Sequence, residues 1–109
     1  MKNGTYQYAI KMFAPIGLRH GELELTVLGT TAGGFLTLFS KRLPIAAGSY
    51  CGGALTFSGE METLLYPLPY TAEGTVNEQA VRMVFRTAKG HFPVEGTAVT
   101  TDEKEKQEP

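Results

Sequence analysis

Polar and apolar residues alternate from the start of the chain. Tyr6, Tyr8, Ile10 and Met12 fall on one side of the first run, and Thr5, Gln7, Ala9 and Lys11 on the other. A period of two marks a strand with one buried face, because successive side chains of extended backbone point to opposite sides. Ala14-Pro15-Ile16-Gly17 interrupts this run, and the next sets Leu23, Leu25 and Val27 against Glu22, Glu24 and Thr26, which predicts a second amphipathic strand. After Gly33-Gly34, the segment from Phe35 to Phe39 is apolar on both sides, as in a strand that is covered on both faces or lines a protein contact. Pro44-Ile45-Ala46-Ala47-Gly48 predicts a loop or an edge segment, since proline has no amide hydrogen for a central ladder. Strand character resumes from Tyr50 to Phe57, with Cys51, Leu55 and Phe57 expected on a shared face. Gly59 separates this run from Glu60–Tyr66, and Pro67 and Pro69 break the chain again before Tyr70.

The last two runs, Gln79 to Thr87 and His91 to Val99, test the pattern most closely because their register can be argued. With Arg86 opposite His91, Phe85 faces Phe92, Met83 faces Val94 and Arg82 faces Glu95. Apolar then meets apolar, and charge meets countercharge. A slip of one residue would put Phe92 opposite Arg86. The predicted connection is a four-residue loop from Thr87 to Gly90.

These segments amount to about seven or eight strands with no helical stripe anywhere, which predicts an all-β, antiparallel architecture. Closure into a single up-and-down β-barrel over residues 1–99 is the expectation, with Gly21, Gly34, Gly53, Gly74 and Gly90 at turns or bends. Residues 100–109 carry no apolar side chain and mix charges densely, so they are expected to form a disordered tail.

Composition narrows the setting. A chain of 109 residues suits one domain, and 42% hydrophobic with 19% charged residues is close to globular averages. No apolar run approaches the roughly 20 residues that cross a bilayer, so no membrane partner is expected. The first residues lack the apolar stretch and cleavage site of a secretory leader. Cys51 is the only cysteine, which leaves no internal disulfide or multi-cysteine metal site and points to a reducing, cytoplasmic setting. Ten basic and eleven acidic residues, a formal charge of −1, offer no basic excess for a nucleic-acid backbone.

Asn3-Gly4-Thr5-Tyr6, Gly21-Glu22-Leu23 and Gly90-His91-Phe92-Pro93-Val94-Glu95-Gly96 together form a pattern that resembles small bacterial lipocalin-like, or calycin-like, barrels. The resemblance implies an up-and-down meander over residues 3 to 99 and a role in ligand or protein binding rather than catalysis.

Candidate chemistry is sparse. Tyr6, Tyr8, Met12, Tyr66, Tyr70 and Met83, with Met61, could line an adaptable pocket for a small apolar ligand, or they could fill a barrel that is only just wide enough for its own side chains. Phe35, Thr37 and Phe39 are the candidate contact for a protein partner or a second copy of the chain in a homodimer. His20, Glu22 and Glu24 alternate on one strand face. They could approach a metal ion or form the solvent face of the sheet. Cys51 beside Gly52-Gly53 could be a nucleophile, although a lone cysteine on an apolar strand is more commonly a small buried hydrophobe. Arg82 and Arg86 share a face with Glu95 and His91, where they could hold a carboxylate or phosphate or make ordinary surface pairs. The functional expectation is therefore a non-catalytic binding module without a cofactor. The alternative is a small enzyme or metal-binding protein built on His20, Glu22, Glu24 or Cys51.

Overall fold

The computed structural model describes residues 2–14, 17–62 and 66–99. The strands are β1 (Gly4–Ala14), β2 (Gly17–Leu28), β3 (Thr31–Leu38), β4 (Lys41–Pro44), β5 (Ala46–Cys51), β6 (Ala54–Glu62), β7 (Pro67–Val76), β8 (Ala80–Thr87) and β9 (Gly90–Ala98). Every pairing is antiparallel and joins chain neighbours, except that β9 returns to β1 and β3 receives both β4 and β5. β4 and β5 act as one interrupted strand. Pro44 ends the first piece, and the Ile45 amide then donates to the Gly34 carbonyl at 2.9 Å before pairing with β3 resumes at Gly48 and Ser49. Counted this way, the molecule is a closed eight-stranded up-and-down barrel. The segment from Pro44 to Gly48, expected as a loop or edge, continues the wall as strand with a bulge, and its proline does lie on an edge, since β4 pairs only with β3. Its ladder with β6 shifts register between Ala46 and Ser49. Residues 100–109, expected as a disordered tail, lie outside the described residues. Among the described residues, no helix is long and apolar enough to cross a membrane.

The alternation read from the sequence decides which face is buried. Tyr8, Ile10 and Met12 on β1 and Leu23, Leu25 and Val27 on β2 are all at most 1% exposed. The β8–β9 register pairs Arg82 with Glu95, Met83 with Val94, Phe85 with Phe92 and Arg86 with His91. Thr87 and Gly90 are also paired, so the connection is the two-residue turn Ala88-Lys89 rather than a four-residue loop. The Thr87 hydroxyl stabilises that turn, accepting from the Lys89 amide at 3.0 Å and donating to the Gly90 carbonyl at 2.9 Å. Cross-strand apolar matching set the register correctly, but it does not report where pairing stops.

Closing a small barrel requires strands to bend sharply, which brings backbone against backbone. At Gly74, a Cβ would meet the Arg82 carbonyl and lie 2.7 Å from the Met83 Cα, so only glycine fits without moving the neighbouring strand. At Gly59 the space is taken by an aromatic ring: a Cβ there would lie 2.8 Å from the Tyr70 hydroxyl, and the Tyr70 ring covers the bare backbone.

Two ends can be distinguished. The end reached first by β1's start carries the turns Gly29-Thr30, Gly52-Gly53 and 77–79, together with residues 98–99. The opposite end carries the last residues of β1 and β6, the first of β2 and β7, the Phe39-Ser40 turn and the Ala88-Lys89 turn. These are called the tied end and the open end below.

Candidate functional site

The interior is filled by its own side chains. Phe57 meets Tyr70 and Phe85 edge-on, with centroids 6.0 Å apart in each pair, while Tyr70 and Phe85 stack at 4.6 Å. Around them, Met12, Met61 and Met83 are 1–2% exposed. Of the six residues proposed to line a ligand pocket, Tyr8, Met12, Tyr70 and Met83 lie in this packed interior. Tyr6 packs against this interior at its rim, and Tyr66 lies outside it. Tyr6 is half-buried near the tied end and donates to the Lys2 carbonyl at 2.6 Å. Tyr66 is 39% exposed at the open end, with the Lys89 ammonium 5.4 Å from its ring centroid.

The two interior tyrosines differ in how their hydroxyls are held. Tyr8 donates to the Asn77 carbonyl at 2.6 Å, tying β1 to the β7–β8 turn. Burial, reinforced by Tyr6, Glu78 and Tyr50, pushes its phenol up to about 12. Burial also raises the Tyr70 phenol well above the ordinary tyrosine range. Both phenols therefore stay neutral at physiological pH rather than acting as acids or bases.

The protein-contact candidates separate. Phe35 and Thr37 are on the outer wall, where the Arg42 guanidinium sits 4.3 Å from the Phe35 ring centroid and bonds to the Glu24 carboxylate at 3.1 Å. Phe39 is not on that face. It occupies the turn after β3 with φ 54° and packs against the core. The run from Phe35 to Phe39 was read as one strand, but period-two alternation ends at Leu38, where the turn begins.

The metal and nucleophile candidates do not assemble. His20, Glu22 and Glu24 share the outer face of β2, where Glu24 is engaged by Arg42. Among the described residues, no three His, Cys, Asp or Glu side chains gather as a metal set. Cys51 is exposed, contrary to the expectation of a small buried hydrophobe. It ends β5, and the Gly52-Gly53 turn lies between it and the Leu55–Phe57 alternation, so it does not share their inward face. Arg86 pairs with Glu73 on β7.

The larger of the two cavities described lies on the outer wall, a trough of about 830 Å³. Its lining includes a row of directly opposed residues on five strands: Lys11, Glu95, Arg82, Thr75 and Ala54. Ala9, Thr97 and Ala80 form a second row beside it, so small side chains make up much of the floor while Lys11, Glu95 and Arg82 supply charge. The smaller cavity, about 150 Å³, lies over Glu22, Glu24, Phe35, Thr37 and Arg42, also outside. Sequence reasoning found the Arg82–Glu95 pair from the hairpin. It missed Lys11 because that residue joins the row only through β1–β9 closure, a pairing that no local pattern signals.

Comparison with known protein families, with curated proteins and with solved structures finds no match for this chain.

Proposed function

We propose that this protein is a non-catalytic binding module that works through its exterior, with a polypeptide segment as the partner of the outer trough. The observation that carries this reading is the contrast between a barrel packed with its own side chains and a trough of about 830 Å³ on its outer wall. An open channel with a small-residue floor and an alternating Lys11–Glu95–Arg82 row suits an extended chain, which offers backbone groups and charges of both signs. The eight-stranded meander supports placing the protein with lipocalin-like barrels, though as one whose centre is solid. An exposed free thiol at Cys51 supports a reducing compartment.

Native mass spectra of freshly purified protein, set against denaturing spectra, test the reading. The expected result is a mass with no retained small molecule. A co-purified apolar ligand would overturn it, because such a molecule has room only if the Phe57, Tyr70 and Phe85 cluster separates. Filling the trough with Ala80→Arg is expected to abolish partner binding while leaving the thermal midpoint unchanged, since Ala80 is exposed.

A further inference from the structure

The chain leaves the barrel beside the trough. β9 ends at the tied end, where the Val99 amide donates to the Gln7 carbonyl at 2.8 Å. Two residues back, Thr97 lies between Ala9 and Ala80 on the trough floor. Residues 100–109 therefore start at the rim of a channel whose lining residues are all described. From Val99, the level of Glu95 is about 13 Å back along the strand, and the five strands of the charged row are about 19 Å across. Ten residues in extended form reach about 33 Å, enough to cover both distances.

Charge separates this channel from the smaller cavity, which Val99 itself lines. The trough sets Lys11 and Arg82 against Glu95, a balance of +1. The smaller cavity sets Glu22 and Glu24 against Arg42, a balance of −1. Residues 100–109 set Asp102, Glu103, Glu105 and Glu108 against Lys104 and Lys106, a balance of −2, so the trough attracts them and the smaller cavity repels them. Neighbouring charges do not reverse this. His20 faces Lys11 from β2, while Arg86 and Glu73 neutralise one another. Glu78, in the turn after Asn77, is not part of the lining and lies towards the Tyr8 phenol. Among the described residues the ion pairs are Lys41–Glu62, Arg42–Glu24 and Arg86–Glu73, and none of the three trough charges belongs to one. Their basic–acidic–basic order across the wall is matched by the acidic–basic–acidic order of Glu103, Lys104 and Glu105.

We propose that residues 100–109 fold back over the trough and occupy it in cis, so that a partner segment must displace them. The inference rests on the reading of the trough as a polypeptide site, and adds its regulation. Tethering makes even a weak contact effective, because a short flexible connection supplies a local concentration of about 1 mM. A second copy carries the same segment, but in a solution of about 1 μM protein it is roughly a thousandfold more dilute than the tethered one.

An N-acetylated peptide with the sequence of residues 100–109, titrated into the isotopically labelled full chain, tests this through the backbone amide resonances of Thr75, Ala80 and Thr97. Glu103→Lys and Glu105→Lys each shift the balance of the segment by two charges, so the double variant stands at +2 and should release the trough. A dissociation constant of about 0.1 mM for the peptide in the variant should become about tenfold larger in the parent, whose own segment competes. Before any peptide is added, the three amides should already differ between parent and variant. Salt at about 1 M, which screens charges beyond about 3 Å, should remove that difference. Thermal midpoints should agree, since both substitutions lie outside the barrel strands.

Equal affinities in parent and variant, with the same amide positions before titration, would overturn the proposal while leaving the trough a polypeptide site. No peptide binding to either chain would overturn it together with that reading. A difference between parent and variant that grows with protein concentration would place the segment in the trough of a second copy, and so overturn occupancy in cis.

Discussion

The two ends of the barrel are built from the same strands, yet they are secured differently. At the tied end, polar groups close almost every turn. The Asn77 side-chain oxygen accepts from the Gln79 and Ala80 amides at 2.7 and 2.8 Å, the Asn77 carbonyl accepts from Tyr8, and Asn3 accepts from the Gly29 amide at 2.9 Å. Backbone bonds from Val76 to Gly53, from Ala98 to Gln79 and from Val99 to Gln7 bind one turn to the next. At the open end, β4 pairs only with β3, while β6 beyond Ser58 pairs only with β7, so the wall is split there. Across the split, Lys41 and Glu62 approach to 3.9 Å. Pro44 and the charges of Lys41, Arg42, Glu60 and Glu62 guard those free edges against pairing with another strand. The difference concentrates stability at one end, while the other carries the exposed side chains of Phe13 and Leu18.

The largest effect should come from comparing two glycines. Gly74→Ala near the tied end forces a Cβ into the β8 backbone, which is held on both sides, and should cost roughly 3 kcal/mol. Gly33→Ala on β3 places its Cβ in open space at an ordinary φ, and should cost no more than about 1 kcal/mol. Urea midpoints of the two variants check this, and equal losses would show that the close backbone approach at Gly74 does not set the cost.

Next in size is Tyr8→Phe, which removes the bond to Asn77 and should lower stability by about 1–2 kcal/mol at neutral pH. The same residue sets a pH dependence. Because the folded-state phenol is raised to about 12 from an ordinary 10.0, the unfolded chain releases its proton first. Its contribution is therefore complete below pH 10 and is lost as pH climbs towards 12. Tyr70, also raised, acts in the same direction. In urea melts across this range, Tyr8→Phe should be less alkali-sensitive than the parent. An identical slope would show that Tyr8 is not linked to folding.

A smaller effect, opposite in sign, is expected in the β3–β4 turn at the open end. Phe39 and Ser40 have φ of 54° and 62°, the left-handed values that a two-residue hairpin turn demands and that glycine adopts without strain. Ser40→Gly should raise stability by about 0.5 kcal/mol, seen as a small upward shift in thermal midpoint. The smallest change belongs to the exposed Arg86–Glu73 pair. Arg86→Met should shift the midpoint by no more than about 0.5 kcal/mol, and by less in high salt.

Much of the fold was legible locally. Alternation at Tyr8–Met12 and Leu23–Val27 specified inward and outward faces because burial of one face of a strand imposes a period of two. The opposition of Phe85 to Phe92 and Arg82 to Glu95 specified a hairpin register because cross-strand neighbours must be compatible. Local pattern misled where a strand ended. It carried the β3 reading through Leu38 to Phe39, and it grouped Cys51 with Leu55 although a glycine turn separates them. It also could not show that Ile45 bridges β4 and β5, since that depends on a carbonyl of β3 contributed by Gly34.

The candidate sites depended still more on assembly. Sequence by itself determined an all-β chain, the inward faces of β1 and β2 and the register of its last hairpin, because each follows from neighbours in the chain or from matching side chains across one turn. Only the tertiary structure decided that the tyrosine–methionine set is divided between a filled interior and two opposite ends, and that Lys11 joins Glu95 and Arg82. Those outcomes depend on strand closure and on which backbone groups approach across many residues, and no local periodicity encodes them.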